Sequence, residues 1–112
     1  MVNSELNERI LKFRDDRNWK QFHNPKDLAI SICLEAAELL EIFQWSGRDV
    51  DGTDKTSEIG EELADVIIYC ALMADAVGLD MQKIVEDKLS ENERKYSVDR
   101  AYGNSKKYTE LE

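Results

Sequence analysis

Hydrophobic residues return along this chain at spacings of three and four and nowhere alternate with polar ones over the length of a strand. Between Asn3 and Asn18, Leu6, Ile10 and Phe13 fall at i, i+4 and i+7 among charged neighbours, which predicts an amphipathic helix capped by Asn3 or Ser4. Asn24 and Pro25 open a second helix, a capping side chain followed by proline at the first helical position, running to about Trp45. Its apolar residues, among them Leu28, Ile30, Leu34, Leu39, Leu40 and Phe43, occupy most of the circumference. Such a helix is either central in its domain or covered by another subunit. A polar loop with Gly47 and Gly52 separates it from a third helix, capped by Asp54 or Thr56, with Ile59, Leu63, Val66, Ile67 and Cys70 inward and a stop at Gly78. Asp80 caps a fourth, with Met81, Ile84, Val85 and Leu89 inward, ending at about Tyr96. The pattern predicts an all-α chain with helices over about 3–18, 25–45, 54–77 and 80–96, one domain over 1–96, and an extended or poorly ordered tail over 97–112.

Acidic residues interrupt this pattern where they are least welcome. At about 100° per residue Glu35 points with Leu28, Leu39 and Ile42, and Asp65 shares a face with Glu58, Glu62, Tyr69, Leu72 and Ala76. Two helices therefore each present an i, i+3 carboxylate pair, Glu35 with Glu38 and Glu62 with Asp65, toward the interior. Like charges at that spacing repel by roughly a few tenths of a kcal/mol on a solvated helix, and more once water is withdrawn. One such acid would pass as an ordinary surface residue, since Asp and Glu make up 24 of 112 positions. Two pairs call for protonation or a bound cation, and four convergent carboxylates suit Mg²⁺, with Mn²⁺ as a substitute, far better than zinc or copper.

Charge and composition narrow the ligand. A net charge of −9 argues against a nucleic-acid or acidic-membrane surface, because phosphate backbones select basic ones. It leaves room for a small phosphorylated molecule whose charge a metal ion bridges. With 42% hydrophobic residues the chain can bury a real but modest core. Cys33 and Cys70 lie within helical patterns at no metal-ligand spacing, so they are expected to be buried thiols of a reducing compartment, without a catalytic role. The first ten residues are charged and contain no apolar signal core, and no run is long enough to span a bilayer. A cytoplasmic, soluble protein is expected.

Two further groups of residues stand out. The segment after Asn18 places Trp19, Phe22 and His23, the only histidine, in one short connection. It either plugs the core with its aromatics or forms a wall on which a planar base stacks and finds a hydrogen bond. Lys88, Asn92 and Lys95 lie on the helical wheel near Ile84, either as a solvated face or as cations turned toward the acids. Acids, cations and aromatics together describe a site for a nucleoside polyphosphate. No Walker A loop is present, Gly60 followed by two glutamates is not a phosphate cradle, and His23 has no evident serine or cysteine partner. Direct attack by water is then the simplest chemistry.

At these residues the chain resembles the MazG-like all-α nucleoside triphosphate pyrophosphohydrolases, nearest to their dCTP pyrophosphatase branch. The likeness rests on Phe22 to Pro25, Glu35 through Trp45, Glu61 through Tyr69, and Lys88 through Asn92 to Tyr96, in that order. The split ExxE and ExxD motif is specific in combination. The resemblance implies a four-helix bundle assembled as a dimer or a dimer-of-dimers tetramer, with Mg²⁺ held by the catalytic residues Glu35, Glu38, Glu62 and Asp65. It implies water attack at the α-phosphorus of a (d)NTP, dCTP-like substrates favoured, giving a monophosphate and pyrophosphate in nucleotide house-cleaning. Trp19, His23, Trp45 and Tyr69 match positions around base and sugar, and Lys88, Asn92, Lys95 and Tyr96 match the segment that approaches the phosphates or closes the pocket. Two departures are Ser97, where the family has proline, and Ala36 or Ala37, where it has a small glycine. A same-fold enzyme acting on dUTP or phosphoribosyl-ATP is the near alternative, and a non-catalytic metal-binding helical oligomer or partner-binding module is the distant one.

Overall fold

The computed structural model describes residues 2–111, which form α-helices and short 3-10 turns. Helix α1, Ser4–Asp16, begins where the side chain of Asn3 accepts the Leu6 N–H at 2.8 Å. It closes on the carbonyl of Arg14, which accepts the N–H groups of Arg17 and Trp19 at 3.3 and 3.1 Å. A 3-10 turn over Lys20–Phe22 leads to α2, Pro25–Glu41, capped as expected by Asn24, whose Oδ1 accepts the Asp27 N–H at 2.9 Å.

Helix α2 stops four residues short of the predicted Trp45. The N–H groups of Phe43 and Gln44 return three residues, to Leu40 and Glu41, and Trp45 takes a left-handed φ of 68°. Hydrophobic spacing did not reveal this, because Ile42 and Phe43 remain partly buried in the tightened turn. Neither Asp54 nor Thr56 caps α3, Thr56–Ala76. A 3-10 turn over Thr53–Lys55 feeds it from Lys55, and the Thr56 hydroxyl donates backward to the Thr53 carbonyl at 3.2 Å. Its far end is a Schellman motif: Gly78, φ 72°, donates to Asp75, and Leu79 donates to Ala74.

The chain forms two compact units, one reaching to Leu79 and one starting at Asp80. In the first, α2 and α3 run antiparallel, because Lys55 Nζ reaches the Ile42 carbonyl at 3.0 Å while Glu35 lies beside Glu62 and Asp65 further along. Helix α1 is tied to the end of α3 by Arg14 Nη1 donating to Asp75 Oδ2 at 2.7 Å. The core is small: Ile10, Leu28, Ala71, Leu72 and Ala74 are the buried apolar residues among those described, Leu28 and Ala71 most completely at 1% exposure. One face of α2 is open, with Ile30, Leu34 and Leu40 exposed by 47, 60 and 71%. Cys33 sits on that face and is exposed, and Cys70 is half-buried, so the expectation of two buried thiols fails for the single chain. The apolar period of α2 recorded surfaces needing cover, and among the described residues they stay exposed.

In the second unit α4, Met81–Lys95, is capped by Asp80, whose Oδ1 accepts the Lys83 N–H at 3.0 Å. Beyond it lie a one-turn helix α5, Val98–Ala101, and a 3-10 turn, Tyr108–Glu110. Elements this short carry no detectable period, which is why the sequence shows only a tail there. Tyr108 meets Tyr96 edge to face at 6.3 Å and lies 4.8 Å from Lys95 Nζ.

Candidate functional site

The antiparallel pairing of α2 and α3 puts the two acidic motifs opposite each other. Glu35, Glu62 and Asp65 each offer a carboxylate oxygen, and the three oxygens lie within 4.8 Å of one another. Oε2 of Glu35 and Oε2 of Glu62 are enclosed with no hydrogen-bond partner. Glu35 and Glu62 are half-buried while Glu38 and Asp65 are exposed, so only one acid of each pair turns inward as expected; Glu38 lies within hydrogen-bonding reach of both glutamates once one of the pair carries a proton. The electrostatic result follows. Burial, and then Glu38, raises the carboxyl pKa of Glu35, while the contact with Glu38, helped by burial and by Asp65, pushes that of Glu62 up to about 7.

A divalent ion fits this arrangement. Orphaned buried oxygens need a positive partner, the donors are all hard carboxylates, and protons held only by mutual repulsion are readily replaced by a cation. Glu35, Glu62 and Asp65 have ligand atoms close enough to share one ion, with Glu38 beside them.

Helix periodicity continues the acidic face into an aromatic one. From Glu62 and Asp65 the same side of α3 passes through Ile68 and Tyr69 to Leu72, and these residues, from Asp65 on, line a cavity of about 370 Å³. Its other wall comes from α1 and the following connection, with Ile10, Phe13 and Arg14 beside Trp19 and His23. Trp19 stands edge-on to Phe13 at 5.7 Å, and the turn is held by Phe22 N–H donating to the Trp19 carbonyl at 2.9 Å. Nδ1 of His23 is enclosed without a partner. Burial, and secondarily the positive charge of Arg14, lowers the His23 pKa, so the imidazole is neutral at physiological pH. The volume is that of a small-ligand pocket, with a few polar groups set in apolar walls.

The structure thus brings together Trp19, His23 and Tyr69 as one wall system, with Asp65 common to the cavity and the acid cluster. Trp45 does not join them: the left-handed turn after α2 leaves its indole 91% exposed. Lys88, Asn92, Lys95 and Tyr96 belong to the second unit, at or beyond the latter half of α4. There Glu91 accepts from Lys88 and Lys95 at 3.2 and 3.0 Å, which lowers its own pKa and raises that of Lys95. Arg14 and Phe13 escaped the sequence reading as cavity residues. The signal was present for Arg14, which continues the i, i+4 series of Leu6 and Ile10, but an arginine followed by two aspartates reads as solvated.

Residues 30–111 match the MazG-like family. The chain belongs to that family. Among individual proteins it is 35% identical to dCTP pyrophosphatase 1 of Homo sapiens and 34% identical to that of Bos taurus, each over 105 residues, or 89% of this chain. It spans 62% of the length of these curated relatives. A crystal structure of a pyrophosphatase from Archaeoglobus fulgidus superposes with a TM-score of 0.77 at 43% identity, covering 83% of this chain and 90% of that one. The all-helical MazG-like fold is thereby established for this chain. The family match starts at Ile30, so it contains all four acids of the MazG-like chain and Tyr69, while Trp19 and His23 precede it.

Proposed function

We propose that this MazG-like chain is a Mg²⁺-dependent nucleoside triphosphate pyrophosphohydrolase that converts (d)NTPs, dCTP-like ones preferentially, to monophosphate and pyrophosphate. The observation that carries the reading is Asp65, one carboxylate shared by a metal-competent cluster and an aromatic cavity of base-binding size. A nucleotide placed with its base in that cavity brings its phosphates to the acids. The family and the pyrophosphatase names of the similar proteins support the same activity.

In this mechanism Glu35, Glu62 and Asp65 hold the metal, which supplies charge neutralisation of the phosphates and a lowered pKa for water when bound. Trp19 and Tyr69 confine the base, and neutral His23 offers it a hydrogen bond. Glu38 lies outside the three-oxygen cluster but touches two of its members electrostatically, and it takes the proton of the attacking water.

The open apolar face of α2 supports assembly of the working enzyme from copies of this chain, as a dimer or tetramer. The two free thiols suit the cytoplasm, and among the described residues no helix is long and apolar enough to cross a membrane. Incubation of the purified protein with a panel of dNTPs and Mg²⁺, following pyrophosphate and monophosphate separately, tests the activity. Release of both from dCTP above the other nucleotides is expected. Release of orthophosphate instead, or of nothing from any nucleotide, overturns the proposal.

A further inference from the structure

Arg14 is the one buried charged residue among those described, at 4% exposure. Its Nε donates to Asp15 Oδ1 at 2.9 Å and its Nη1 to Asp75 Oδ2 at 2.7 Å, so the guanidinium is fixed on two sides. The two N–H groups of Nη2 meet no acceptor among the described residues, although the side chain lines the aromatic cavity beside His23 and Trp19. Its backbone carbonyl, accepting from Trp19, also sets where the aromatic wall begins. A clamped arginine with an unspent donor edge is more than a strut between α1 and α3.

We propose that Arg14 is a specificity-determining residue of the cavity, presenting its free guanidinium edge beside the imidazole of His23 to the hydrogen-bonding edge of a cytosine base. The inference rests on the nucleotide reading above and adds to it the group that tells bases apart. A guanidinium nitrogen only donates, and with Nε and Nη1 held by aspartates an N–H of Nη2 is left for one acceptor of the base. A neutral imidazole keeps one lone pair and can accept. Donor beside acceptor complements cytosine, whose N3 accepts and whose N4 amino group donates. Thymine and uracil reverse both, with a donor at N3 and an acceptor at O4. A base with that reversed edge leaves buried polar groups unpaired, which is the costly form of mismatch.

The full chain and its Arg14→Met and Arg14→Lys variants, checked for folding by circular dichroism, decide this through two readouts. In turnover with Mg²⁺ the wild type is expected to favour dCTP over dTTP by about tenfold or more in kcat/KM. Arg14→Met raises KM for dCTP by a similar factor, changes kcat less, barely alters dTTP, and so erases the preference. Lysine, which cannot hold both aspartates and still direct an N–H at the base, does not restore it, and it serves alone if the methionine variant does not fold. The second readout needs no turnover: dCMP shifts the NMR signal of His23, the sole histidine, and dTMP does not, with the difference lost in the variants. Hydrolysis of neither triphosphate by the wild type removes the activity proposed above, and the monophosphate experiment still decides the role of Arg14. Equal response of wild type to dCMP and dTMP, or a base preference surviving in a folded variant, overturns the inference.

Discussion

At the scale of single residues, the chemistry is that of charges kept close together. Glu35 and Glu62 hold protons above the ordinary carboxylate range because water is thin around them and Glu38 is beside both. With Glu62 raised to about 7, the folded metal-free protein keeps a proton that the unfolded chain has lost above 4.5. The contribution to stability is complete below 4.5 and declines as pH rises to about 7. Metal and proton compete for the same oxygens, so the rise in melting temperature produced by Mg²⁺ should be larger at about pH 8 than at about pH 5.5. Equal rises at the two values would detach the ion from these acids. Glu38→Gln and Asp65→Asn should each lower kcat by about 100-fold or more while leaving the helical content intact. Since each removes a source of repulsion, neither is expected to lower the melting temperature without metal, and a fall of several degrees would mean that these carboxylates support the fold.

At the scale of elements, the connections decide where the helical faces point. The α2–α3 connection turns at Gly52, φ 59°, where an added Cβ would meet Ile59 Cδ1 and Phe43 Cε1 at 3.0 Å. The left-handed backbone and the contact act together, so Gly52→Ala should cost about 1–2 kcal/mol in urea unfolding. Because that turn sets how α3 lies against α2, the same variant should weaken Mg²⁺ binding, and an unchanged metal affinity would show that the helix pair holds its register without it. At the other end, the carbonyl of Arg14 and the clamp from Arg14 to Asp75 put the aromatic connection against α3. The cavity is in this sense a product of one helix terminus.

For the molecule as a whole, the small core is the governing fact. Five buried apolar residues among those described are few for a chain of this length, and α2 presents Ile30, Leu34 and Leu40 to solvent. Association of copies would bury them. Light scattering should give a mass of at least two chains, and Leu34→Glu should both shift it toward one chain and lower the melting temperature. A monomeric wild type of equal stability at high dilution would mean that the face has another use.

Local pattern was enough for the four long helices, three of their caps and the identity of the acids, because helical period and capping are each written within a few residues. Asn3, Asn24 and Asp80 cap as their positions predict, and the Glu35 and Asp65 anomalies are visible on a helical wheel. Tertiary structure decided what local pattern could not contain. It fixed the facing of Glu35 by Glu62 and Asp65, the early end of α2 that leaves Trp45 outside the cavity, and the burial of Arg14 against Asp75, sixty-one residues away. Those depend on which surfaces meet, and a hydrophobic period says that a face must be covered without saying by what.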